Sequence, residues 1–113
     1  IMGGMSCNKM SLIPWQILKK TTNCCLTISD KKVPDTITML AKKSFSDKKI
    51  VGGECSAPGV ISLISACNNK KIRYKLNLGK KSNVLLIGCE GDVDKKLYKI
   101  LYKKGLKKFN NVK

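Results

Sequence analysis

Residues 83–89, Asn-Val-Leu-Leu-Ile-Gly-Cys, constrain the fold more than any other segment. Nearly every position is apolar, without the alternation of a strand that has one wet face. The run is far too short to cross a bilayer, which takes ~20 residues. It suits a strand covered on both faces, as in a parallel sheet. Directly after it come Glu90, Asp92 and Asp94, three of the seven carboxylates of the chain, in a loop broken by Gly91. Residues 94–104 then read as an amphipathic helix, with Leu97, Ile100 and Leu101 on one side and lysines opposite.

The rest of the chain continues that alternation. Ser11 is placed to cap a helix running to about Lys20, with Trp15, Ile17 and Leu18 as its apolar side. Residues 24–29 read as a short strand. Ser29 or Asp30 then caps a second helix carrying Val33, Ile37, Leu40 and Ala41 at helical spacing. Ile50 and Val51 read as a strand end, followed by a Gly-Gly-Glu turn. A helix starts at Ala57 or Pro58, and a connector ends at Gly79. Helices alternating with apolar runs predict an α/β fold: a partial three-layer parallel sheet with helices on both faces. Neither a linker nor a repeat divides residues 1–113, so a single unit is expected. At this length it can bury roughly two thirds of its unfolded surface.

The formal charge is +16, from 23 basic residues against seven acids. Charge of that size suggests nucleic acid or an anionic membrane. Against this, the basic residues are 22 lysines and one arginine, Arg73, with the lysines spread in pairs along the chain. Readers of nucleic acid favour arginine for bidentate and stacking contacts. A lysine-covered surface with only generic, salt-sensitive attraction to polyanions is the expectation, with neither specific nucleic-acid binding nor a membrane span. The chain has six cysteines, no histidine and no Cys-x-x-Cys pair. A structural zinc site and a Cys–His protease are therefore not expected. No secretory leader pattern is visible, and reduced thiols in the cytoplasm are expected.

In open α/β sheets, ligands sit beyond the carboxyl ends of the strands. Two segments fit that position: Gly52 to Gly59 after Val51, and Cys89 to Asp94 after the apolar run. Each combines glycines, a cysteine and a carboxylate just ahead of a helix, where free N–H groups and the dipole favour anions. Taken singly, Glu54, Asp92 and Asp94 read as helix caps, the glycines as turn residues, and Cys67 and Cys89 as packing residues. Neither segment matches a dinucleotide fingerprint or a Walker loop.

Three stretches together carry more information: Ile1 to Leu18, Ile50 to Leu63, and Ser82 to Leu101. They resemble, in order and approximate spacing, the C-terminal part of diaminopropionate ammonia-lyase, a pyridoxal-phosphate family of the tryptophan-synthase-β type. The first stretch resembles the family at Met2, Gly4, Cys7, Trp15 and Leu18. The last is the most specific, keeping the apolar strand, the Glu-Gly-Asp-x-Asp loop and Tyr98. The resemblance implies elimination of 2,3-diaminopropionate to pyruvate and ammonia, in an intact enzyme that is a homodimer.

It also implies that Gly53, Glu54, Cys55, Ser56, Cys89, Glu90 and Asp92 form one wall of the cofactor site. Cys55 replaces the family's serine facing the pyridine nitrogen, Ser56 replaces a glycine, and Cys89 stands where the family has threonine. The Schiff-base lysine, the acidic catalytic partners and the phosphate loop of the family have no counterpart here. The expectation is therefore no catalytic residue and no metal ligand in this chain, and no activity alone. Pyridoxal 5'-phosphate would bind only with a missing N-terminal half as partner, and the substrate would be a small amino acid. The alternatives are a small basic nucleic-acid- or polyanion-binding module and a non-functional remnant.

Overall fold

The computed structural model describes residues 1–110, excluding the side chain of Phe109. Five α-helices form: α1 (Leu12–Thr21), α2 (Val33–Ala41), α3 (Ala57–Asn68), α4 (Lys70–Lys75) and α5 (Lys95–Asn110). Short 3-10 turns at Gly3–Met5, Asp30–Lys32 and Glu54–Ser56 accompany them.

The caps follow the sequence closely. The Ser29 hydroxyl accepts from the Lys31 N–H at 3.3 Å, opening the turn that leads into α2, whose first turn holds Pro34. The Asp94 carboxylate accepts from the N–H groups of Lys96 and Leu97 at 3.0 and 2.9 Å and starts α5. Both supply acceptors for N–H groups that a helix leaves without internal partners. Ser11 flanks α1 at the expected place, but its side chain makes no capping bond.

The predicted parallel sheet does not form. Among the described residues there is no strand, and the architecture is helical rather than α/β. The runs 24–29, 50–51 and 83–89 lie as irregular, non-helical backbone, and no backbone hydrogen bond joins any two of them. Apolar composition is a local property, whereas a strand exists only through a neighbour about 4.8 Å away with free N–H and C=O groups. The 83–89 run also lacks two-sided cover. Leu85 and Ile87 are 87% and 78% exposed, while Leu86 lies over Gly59 of α3 and is 38% exposed.

The core sits where α2, α3 and α5 meet. Val33, Ile37, Ala57, Ile61 and Leu101 are buried together, flanked by Met2, Ile28, Leu97, Tyr98 and Tyr102. The principal packing is α2 against α5. Thr38, fully buried, donates its hydroxyl to the Tyr102 carbonyl at 3.0 Å. Gly105 lets the two helices approach: a Cβ there would run into the Pro34 carbonyl and the Thr38 hydroxyl. The expected apolar side of α5 is corrected at one position, since Ile100 turns outward and is 62% exposed. No residue of α1 is buried, and the expected apolar side is largely open, with Trp15, Ile17 and Leu18 each 45–60% exposed.

Candidate functional site

Two loops converge at the start of α3. The first leads from Val51 through Gly52 and Gly53 into the Glu54–Ser56 turn, which runs directly into α3. The second is the segment Gly88 to Gly91, which begins at the end of the apolar run. Glu90 ties the two together through both its backbone and its side chain.

The Glu90 carbonyl accepts from the Gly53 N–H at 2.9 Å and from the Ser56 hydroxyl at 2.6 Å. The same Ser56 oxygen accepts from the Glu90 N–H at 3.1 Å. The Glu90 carboxylate accepts from the Cys55 N–H at 2.9 Å. This last bond places a negative charge at the open N-terminal end of a helix, where the peptide dipoles favour it. The Cys89 thiol, on the same loop, donates to the Cys55 carbonyl at 3.6 Å.

The glycines serve close approach here. Gly53 has an extended backbone that any residue can adopt, yet a Cβ on it would collide with the Gly91 carbonyl and the Glu90 carboxylate. A Cβ on Gly52 would meet the Ser56 Cβ at 3.0 Å. Gly4, in the first turn of the chain, closes the site from the other side. Its Cβ position lies 3.4 Å from the Cys55 sulfur and 4.0 Å from the Glu90 carboxylate. The third stretch of sequence thus meets the other two.

Cys55 is the one buried cysteine, 6% exposed; the other five are exposed. Burial pushes its thiol pKa up from the ordinary 9.0, and the Glu90 carboxylate followed by the Glu54 charge adds to the shift, against a smaller lowering by the Gly4 backbone. The result is a neutral thiol beside a carboxylate.

Of the seven residues expected at the site, the hydrogen bonds bring together Gly53, Cys55, Ser56, Cys89 and Glu90. Glu54 adjoins them as the first residue of the turn and acts on Cys55 through its charge. Asp92 makes none of these bonds and acts instead on Tyr98 of α5. Its charge, after burial, is the second cause holding the Tyr98 phenol above its ordinary pKa, and the stacked Tyr102 is the third. The double role of Ser56 and the approach of Gly4 were not read from the sequence. The available signals were a serine two residues before a helix proline and a Gly-Gly pair near a cysteine.

A diaminopropionate ammonia-lyase of Salmonella typhimurium is 29% identical over 102 residues, which cover 87% of this chain and 25% of the relative. The Escherichia coli K12 enzyme of the same name is 28% identical over 103 residues, covering 88% of this chain and 26% of the relative. The chain is similar to diaminopropionate ammonia-lyases. It spans about a quarter of the length of these curated relatives. No family model matches the chain, and no solved structure matches it. Among the described residues, no helix is long and apolar enough to cross a membrane.

Proposed function

We propose that this chain is the C-terminal portion of a pyridoxal-phosphate-dependent lyase that acts on 2,3-diaminopropionate or a similar small amino acid. The observation that carries the reading is the knot around Glu90, where three resembling stretches of sequence come together at one helix start.

The residues fit one edge of the cofactor. Cys55 is buried and neutral at physiological pH, so it offers an uncharged partner to a pyridine nitrogen, as the family's serine does. Glu90 and Ser56 hold the Cys55 backbone in place, and the glycines leave room for close approach. Bound pyridoxal phosphate supplies an electron sink for elimination. The chain's own contribution is to orient the ring edge, exclude water from it and keep the facing thiol protonated. The Schiff-base lysine and the phosphate loop come from the remaining portion of the enzyme, which is this chain's partner. The intact enzyme is a cytoplasmic homodimer, and this chain alone has no lyase activity.

The test is to co-produce the chain with a portion that carries the lysine and phosphate loop, and to purify the complex. The expected result is cofactor absorbance in the visible range together with release of pyruvate from 2,3-diaminopropionate, neither of which the separate portions give. A stable complex that binds no pyridoxal phosphate would sink the reading.

A further inference from the structure

Beyond the C-terminal end of α3, the end away from the Glu90 knot, α4 and the loop after it line an open concavity of about 480 Å³. Its lining includes Lys70, Arg73, Tyr74, Asn77, Lys81 and Ser82. We propose that this concavity binds a nucleotide, with the cations on the phosphate chain and the Tyr74 ring under the base.

Four observations carry the assignment. No acidic residue occurs between Glu54 and Glu90, so six cations of the segment 70–81 share it with no carboxylate. The two ion pairs found among the described residues lie elsewhere, at Asp30 and Asp35. The single arginine of the chain lines the concavity, and its planar fork matches phosphate oxygens in a way lysine cannot. The carbonyls at the end of α4, which would repel an anion, are already engaged: those of Ile72, Arg73 and Tyr74 accept from the N–H groups of Leu76, Leu78 and Asn77.

The fourth observation concerns the aromatic residue. Tyr98 and Tyr102 stack on each other beside the core, whereas Tyr74 is 87% exposed and lines the concavity. An open aromatic face beside phosphate-binding cations is the arrangement that stacks a base. The loop closing the site is held by its own bond, the Gly79 N–H to the Ser82 hydroxyl at 2.9 Å, and by Asn77 in a left-handed conformation at φ 51°. The volume suits one small ligand rather than a continuous strand.

The test is titration of the whole chain with ATP by calorimetry at about 0.15 M salt, where generic attraction to lysines is largely screened. Saturable binding of one ATP per chain is expected. Arg73→Ala and Tyr74→Ala should each weaken it on the order of tenfold, while Tyr74→Phe keeps it. A double Lys31→Ala, Lys32→Ala variant, which removes more charge elsewhere, should bind ATP as the parent does. Lys81→Ala, outside any helix, should also weaken binding, and it remains decisive if the α4 variants lose helicity. The assignment is overturned if ATP does not bind, if inorganic tripolyphosphate displaces ATP as well as ADP does, or if the Lys31/Lys32 variant is equally weakened. A single-stranded oligonucleotide that binds in a length-dependent way while ATP does not would also overturn it, in favour of a polyanion track. None of these outcomes depends on lyase activity, so this site and the lyase reading stand or fall separately.

Discussion

At Cys55, burial and two carboxylates act in the same direction. Thiols react as thiolates, so a raised pKa and 6% exposure both slow the chemistry. Differential alkylation at pH 8, read by mass spectrometry, should find Cys55 the slowest of the six cysteines. Glu90→Gln should speed it, because the variant removes a charge that disfavours the thiolate. Equal rates for Cys55 and the exposed Cys24 or Cys25 would refute this. The same shift has a consequence for stability. The folded chain holds the Cys55 proton more tightly than the unfolded chain does. The stabilisation is therefore complete below the unfolded value near 9.0 and is lost as pH rises through the higher folded value. Unfolding midpoints measured from pH 7 to 10.5 should fall more steeply at the alkaline end for the parent than for Cys55→Ser. At this scale the position of the two loops ahead of helices marked the segments that gather, whereas the set of residues came from the family resemblance, since each read singly as a cap, turn or packing residue. The sequence was silent on how Ser56 bonds, because its two contacts to Glu90 depend on the backbone of a loop 34 positions away.

Among the elements, the α2–α5 pair dominates, and its closeness depends on Gly105. Within a helix, glycine costs about 1 kcal/mol relative to alanine, so its presence in α5 calls for a packing reason. That reason is the Pro34 carbonyl and the Thr38 hydroxyl, which occupy the space a Cβ would need. Gly105→Ala should therefore destabilise the chain by roughly 1–3 kcal/mol through forced separation of the helices, despite its better helix propensity. Lys104→Ala, next to it and exposed, should stay within about 0.5 kcal/mol of the parent. Urea denaturation followed by circular dichroism reads both, and a stabilised Gly105→Ala would show that the helices are not held together there. Helix positions and caps were legible because their signals are local: Ser29, Pro34 and Asp94 each act within a turn of their own position. The sheet was not, because Val84 to Ile87 state only that something apolar should cover them, and not that a strand of this chain will do so.

Across the molecule as a whole, too much apolar surface remains in water. A folded monomer of 12.5 kDa exposes roughly 6,200 Å², whereas this chain exposes 9358 Å². Its radius of gyration is 15.3 Å, against about 13.3 Å for a compact chain of this length. Exposed apolar side chains contribute to the excess, among them Leu12, Ile13 and Ile17 on α1, and Leu85 and Ile87 on the apolar run. If the rest of the proposed enzyme covers this surface, the same residues are expendable for the chain alone and essential for assembly. A double Leu85→Lys, Ile87→Lys variant separates the two conditions. Those side chains contribute little to the isolated chain, so its unfolding midpoint should be nearly unchanged and its solubility improved. Co-production with the remaining portion should then fail to give a complex on size-exclusion chromatography, and pyruvate formation should be lost with it. A variant that still assembles would mean that this run stays exposed in the enzyme. One that unfolds in isolation would mean that Leu85 and Ile87 already support the fold through contacts their exposure does not reveal.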